Sequence, residues 1–283
     1  MKSLCIKTNN NKITDYLLKD FENLNIDDTY ITFKNFKHFS NLIIHYKSDN
    51  ITSFINSISN IITKVIILFF EKDLITDFIN LNYFYFNHLE RNKILNISLE
   101  LLNDIDNINK KYDFINNSLY EHISKHHSLY LSGFVNFRLS NYLEFINEKI
   151  DFAVNKFLID KEYLEFVNIL RLYIKSESLE SNTPHLHLIY KNKSSIIIND
   201  AKEIISCNDN LFKAKYVSDI SFSSNDLALN TLLNLLPKKI TIHLIDGYPD
   251  EFINTLKLIF QDKIFICEDC DICNIYKQKQ AKN

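Results

Sequence analysis

The chain has 283 residues, enough for two or three domains, and its 46% apolar and 24% charged residues place it among globular proteins with a sizeable core. A formal net charge of −3 sets up no field that would draw nucleic acid or an anionic membrane, and the closing KQKQAKN is too short to act as a basic arm. The start, MKSLCIKTNNNK, lacks the apolar stretch of a secretory signal, and the greasiest run, VIILFF from Val65, falls far short of the roughly 18 apolar residues of a membrane span.

In chain order, the pattern opens as β-α-β-β-α. Lys2–Thr8 reads as a strand and Lys12–Leu24 as a helix with Ile13, Tyr16, Leu17 and Phe21 on one face. TYITF and NLIIHY follow as strands. In the second, Leu42, Ile44 and Tyr46 alternate with Ile43 and His45. Asp49 or Asn50 can cap a helix starting near Ile51. Its stripe of Ile51, Ile55, Ile58, Ile62, Val65 and Phe69 is widened by Phe54, Ile61 and Leu68, which predicts burial on more than one side.

From Lys72 to Leu179 the chain reads as wholly helical. Leu139, Tyr142, Leu143, Ile146, Ile150, Ala153, Val154 and Phe157 form one apolar face; Tyr163, Phe166, Val167, Leu170, Tyr173 and Ile174 form another. A break is expected near Asp160, which can cap the second helix. The polar stretch SESLESNTP, ended by Pro184, reads as a linker. HLHLIY and SSIIIND then suggest a hairpin. The helix SSNDLALNTLLNLLP has a capping box at Ser223 and Asp226 and a stop at Pro237. The strand KKITIHLI, a helix opened by Pro249, and the strand KIFI make a β-α-β unit with parallel strands. Such a unit carries Asp246-Gly247 and Cys267 to one edge of the sheet, where open α/β sheets bind ligands.

The block LSGFVNFRLSNYLEFINEKIDFAVNKFLIDKEYLEFVNILRLYI resembles the YtxC-like family of sporulation proteins from endospore-forming bacteria. SSNDLALNTLLNLLPKKITIHL and IFQDKIFICEDCDIC extend the likeness, which covers about residues 130–273. The resemblance implies a role in spore formation and carries no established reaction, cofactor or active site. The expected fold is α+β and helix-rich: an N-terminal α/β segment (residues 1–71), a helical middle (72–180), a C-terminal α/β segment with a cysteine-bearing end (181–273) and a disordered tail (274–283).

Cys267, Cys270 and Cys273 carry the strongest chemical signal. An odd number of cysteines, five, and no secretion signal point to a reducing cytoplasm, where close thiols serve as metal ligands or catalysts. Three readings stay open: an inert reduced tail, a zinc site, and an iron–sulfur or thiol-redox centre. Glu268, Asp269 and Asp271 interleave the thiols; these carboxylates disfavour an anionic cluster more than a divalent cation and should raise the thiol pKa values. A fourth ligand would come from Cys207, His185, His187 or a second chain.

Other candidates have plainer explanations beside the functional ones. His122 and His126 share a helix face near Glu121, with His127 adjacent, and read as a metal clamp or a structural pair. His185 and His187 point to one side of their strand and His243 sits on a nearby one, a trio at metal-binding or ordinary sheet-face positions. Arg138 reads as an anion clamp or as half of an ion pair with Glu144, Glu162 or Glu165. The resulting expectation is a cytoplasmic, non-enzymatic or regulatory protein that binds another protein, with no nucleic acid and no membrane span. The competing expectation is a metal or thiol-redox protein centred on the three cysteines.

Overall fold

The computed structural model describes residues 2–22, 29–37, 39–47, 51–177, 184–205 and 223–278. It is α+β and rich in helix, with two four-stranded mixed sheets, and the chain divides into two units, Met1–Ile159 and Asp160–Asn283. The cap expected at Asp49 or Asn50, most of the linker before Pro184, and Cys207 lie outside the described residues.

The first unit opens with β1 (Lys2–Thr8), α1 (Asn11–Glu22), β2 (Thr29–Asn35), β3 (Ser40–Tyr46) and α2 (Ile51–Phe69), the predicted β-α-β-β-α order. Burial alternates strictly along β3, so the period-two pattern places one face on the core. In α2, Ile58, Ile62, Val65 and Ile66 are fully buried, but Leu68 is 62% exposed, and the widened stripe does not reach it. The whole of α2, unlike the VIILFF run alone, is long and apolar enough to cross a membrane by length and composition.

Five helices follow: α3 (Glu71–Asn82), α4 (His88–Leu102), α5 (Ile105–Lys125), α6 (Leu131–Arg138) and α7 (Ser140–Glu177). Two expectations are corrected here. The middle is not wholly helical, because β4 (Ser128–Tyr130) pairs parallel to β1 and completes the sheet order β2-β3-β1-β4. Nor does the chain break near Asp160. α7 runs through 38 residues, since no glycine or proline interrupts its backbone and an aspartate alone does not. Leu139, Tyr142, Ile146, Ile150, Ala153 and Phe157 are buried as expected, whereas beyond Asp160 only Val167 and Ile174 of the second face are, with Phe166 and Tyr173 exposed.

A polar cluster lies inside this core. Lys111 Nζ donates to Glu71 Oε1 and Oε2 at 2.9 and 3.1 Å and to Asn103 Oδ1 at 2.9 Å. Tyr142 donates its hydroxyl to Glu71 Oε2 at 2.7 Å, and burial followed by the Glu71 charge holds that phenol far above its ordinary range. Lys111, Glu71 and Tyr142 are all buried.

The second unit holds β5 (His185–Lys191), β6 (Ser194–Ile198), α8 (Ser224–Leu235), β7 (Lys239–Leu244), α9 (Glu251–Phe260), β8 (Ile264–Cys267) and α10 (Asp271–Gln278). The sheet order is β6-β5-β7-β8, with the β5–β6 hairpin antiparallel and β5–β7 and β7–β8 parallel. The predicted β-α-β unit is β7-α9-β8. α9 opens at Glu251 rather than at Pro249, and Asp250 caps it, its side chain accepting from the Ile253 amide at 3.2 Å. The tail expected to be disordered from residue 274 begins inside α10.

The capping box of α8 forms as read: Ser223 Oγ accepts from the Asp226 amide and the Asp226 carboxylate accepts from the Ser223 amide. Ser223→Ala should therefore lower stability by about 1 kcal/mol, seen as a lower urea midpoint at unchanged slope. No change in midpoint would show that the cap is dispensable.

Alternation assigns the two faces of this sheet. Leu186, Leu188 and Tyr190 of β5 and Ile240 and Ile242 of β7 pack with Ala228 and Leu232 of α8 and Ile253, Leu256 and Ile259 of α9. The intervening residues, His185, His187, Thr241 and His243, therefore line the opposite face. There a small cluster of Ile189, Ile198, Ile245 and Cys273 sits beside Cys267, Cys270, Ile272 and Tyr276.

Candidate metal centre

The three cysteines converge because β8, a turn and α10 fold back on β7. Cys267 is the last residue of β8, and the parallel register sets it directly beside His243 of β7. Cys270 precedes α10, where the Ile272 and Cys273 amides reach its sulfur, and Cys273 lies in the first turn. Lys191 Nζ donates to the Tyr276 carbonyl at 3.1 Å and ties α10 to β5.

Four donors meet there. Cys270 Sγ is 3.8 Å from Cys273 Sγ, which is 3.8 Å from Cys267 Sγ. His243 Nδ1 lies 3.3 Å from Cys273 Sγ and 3.4 Å from Cys270 Sγ, and all four donor atoms fall within 4.8 Å of one another. In a tetrahedral zinc site with Zn–S of about 2.3 Å and Zn–N of about 2.0–2.1 Å, sulfurs stand about 3.8 Å apart and sulfur and nitrogen about 3.6 Å. The donor set fits that ion in both type and spacing.

The protonation states follow from surroundings. Burial, then the charges of His187 and His185, lowers His243 to about 4, which keeps its imidazole neutral as a metal ligand requires. Burial first, then the neighbouring sulfurs, pushes Cys267 up to about 12; burial, then Cys270, raises Cys273. Cys270 departs from the expected rise. Burial pushes it up, but the Cys273 and Ile272 amides and the other two thiols pull it below its ordinary value. The interleaved carboxylates are not the cause. Asp269 instead lies 3.7 Å from Lys277 at the surface.

Among the described residues the fourth atom able to bind beside the sulfurs is His243 Nδ1, and His185 and His187 are not brought to them. Those two gather with Asp200, whose Oδ1 is 2.8 Å from His185 Nδ1 and 3.1 Å from His187 Nε2. Hydrogen bonding to His187 is the leading cause holding Asp200 below the usual carboxylate range. His187 Nδ1 in turn lies 3.0 Å from His243 Nε2, and His185 Nε2 lies 2.8 Å from Thr241 Oγ1. Sequence spacing had brought His185, His187 and His243 together as a trio; strand register shows which of them faces sulfur. Asp246, at the same strand edge, accepts from the Asn192 amide, and Gly247 beside it adopts φ 102°, open to glycine and strained for other residues.

The remaining candidates lie in the first unit. His122 Nε2 is 3.1 Å from the Ser128 carbonyl, and its ring stands 4.7 Å from that of His126. Burial first lowers its pKa, with the His126 and Arg138 charges adding to the effect. Arg138 is exposed beside Lys125, His122 and His126 in a shallow hollow, and the ion pair expected for it is absent among the described residues.

Comparison with known proteins adds one match. A model of the YtxC-like family aligns with residues 56–265, most of the chain, and no curated protein and no solved structure matches it.

Proposed function

The chain belongs to the YtxC-like family, and on that premise we propose that it is a zinc-holding, non-enzymatic protein of spore formation that acts by binding another protein in a reducing compartment. The sporulation role rests on the family resemblance. The observation that carries the metal assignment is the convergence of three sulfurs and one imidazole nitrogen at tetrahedral spacing. Four protein donors leave no coordination position for a substrate, which is the pattern of a structural zinc. An iron–sulfur cluster fits less well, because iron and sulfide would have to stand between sulfurs only 3.8 Å apart. Exposed apolar side chains around the α3–α4 connection, Leu81, Phe84, Tyr85 and Leu89, supply surface suited to a partner.

Protein purified without oxygen should carry about one zinc per chain and no inorganic sulfide. Cys270→Ser should lower the affinity of the sulfur-rich centre, measured by competition with a chromophoric chelator. Less than about a tenth of an equivalent of any metal would overturn the assignment, as would wild-type affinity in the variant.

A further inference from the structure

The His185–His187–Asp200 cluster stands one hydrogen bond from the sulfur-rich centre. His185 and His187 lie two residues apart on one face of β5, with ring centroids 4.2 Å apart. Their ring nitrogens and the Asp200 carboxylate fall within 4.8 Å of one another, and Asp200 Oδ1 stands 2.8 and 3.1 Å from the two nitrogens. Donors on adjacent corners of an octahedron with bonds of about 2.1 Å stand about 3 Å apart, and two imidazoles with one carboxylate are a facial set for a divalent ion. The Asp200 side chain is 60% exposed, so solvent reaches this set. In the sulfur-rich centre His243 and Cys273 are buried and Cys267 and Cys270 half-buried.

We propose that His185, His187 and Asp200 form an outer site for a divalent cation, coupled to the inner Cys267–Cys270–Cys273–His243 centre through the His187–His243 hydrogen bond so that one chain fills one site or the other. The proposal rests on the zinc reading of the inner centre for its coupling, while the outer donors stand independently of it.

The coupling follows from proton placement. A neutral imidazole has one N–H and one lone pair. With an ion in the inner centre, His243 Nδ1 gives its lone pair to the metal, so Nε2 carries the proton and donates it to His187 Nδ1 across 3.0 Å. His187 must then carry its own proton on Nε2, where it donates to Asp200 and cannot bind metal. An ion in the outer site takes the lone pair of His187 Nε2. The proton is then on His187 Nδ1 and is donated to His243 Nε2. This leaves the His243 proton on Nδ1, facing Cys270 and Cys273. Filling both sites would set N–H against N–H between the two rings.

Moving the ion outward balances without an oxidant. His243 Nδ1 takes a proton from water, its Nε2 proton passes to His187 Nδ1, His187 Nε2 releases its proton to water, and the thiolates left by the ion take up protons from water. His185 changes tautomer with the switch. Without the outer ion its Nδ1 proton faces Asp200 Oδ1 at 2.8 Å. With the ion it gives that proton to water, binds through Nδ1 and takes a proton on Nε2, donated to Thr241 Oγ1, the kind of outer contact that orients metal-bound histidines.

Cobalt(II) and zinc(II) titrations of the metal-free full chain test this. Wild type should saturate at about one equivalent of cobalt with the intense near-ultraviolet band of sulfur-to-metal charge transfer. Cys270→Ser with Cys273→Ser should still bind about one equivalent, with the weak visible spectrum of nitrogen and oxygen ligation only; adding His185→Asn and Asp200→Asn should abolish it. No binding by the folded double-cysteine variant overturns the outer site, and two ions bound at once by wild type overturns the exclusion. A wild-type spectrum without the sulfur band sinks the inner centre instead, which separates the two failures. Should the cysteine variant fail to fold, the nitrogen-15 tautomer signals of zinc-loaded wild type decide: His187 protonated on Nε2 upholds the coupling, and His187 protonated on Nδ1 overturns it.

Discussion

Glu71→Leu should destabilise the first unit by about 3–5 kcal/mol, because it strands the buried Lys111 ammonium, whose ion-pair partner among the described residues is Glu71. The loss is large against the roughly 5–15 kcal/mol by which domains are stable. Tyr142 would lose its hydrogen bond to the carboxylate and Lys111 both of its own, and among the described residues Asn103 Oδ1 would remain to accept from the ammonium. The converse follows from the same physics. Glu71→Leu combined with Lys111→Met and Tyr142→Phe removes the charges and the orphaned hydroxyl together, and should recover most of the loss. Chemical denaturation of wild type and the two variants measures both effects. A single variant within about 1 kcal/mol of wild type would mean that water or relaxation reaches Lys111 despite its burial.

Stripping the proposed zinc should have the second large effect, confined to one end of the other unit. The inner donors join β7, β8 and α10, and β8 has only four residues to pair with β7. An ion bound a thousandfold above its dissociation constant adds about 4 kcal/mol to stability. Chelation should therefore remove hydrogen-exchange protection from the amides of β8 and α10 first, and leave β1 and β3 of the first unit protected. Cys273→Ser should mimic chelation at β8 and α10, since that sulfur is buried and touches both other thiols and His243. Unchanged protection in β8 and α10 after complete metal removal would show that packing alone holds this end of the sheet.

Much of this architecture is legible in local pattern. Period-two alternation marks β3 and β5, the capping box marks α8, and the spacing of Cys267, Cys270 and Cys273 singles out a candidate metal half-site before any coordinates are known. The buried lysine was missed, although a signal existed. Asn107, Lys111, Ile115 and Leu119 recur four apart on α5, so Lys111 sits on an inward stripe and needs an acceptor from another helix. β4 carried almost no signal: three residues become a strand only because β1, more than a hundred positions earlier, offers a free edge. Asp160 misled for the opposite reason, being a capping residue in a stretch whose neighbours all favour helix.

What the sequence determined by itself is what acts within a turn or two of chain: most element types, the α8 cap, the main apolar faces, and the chemistry of three close thiols. What only the tertiary structure decided is which distant groups meet. His243 meets the three thiols because parallel register places it beside Cys267, and His187 is kept one hydrogen bond away on the adjoining strand. Local periodicity orients a side chain toward a face, but the position along that face is set by strand pairing. A slip of one residue would turn His243 to the other side of the sheet.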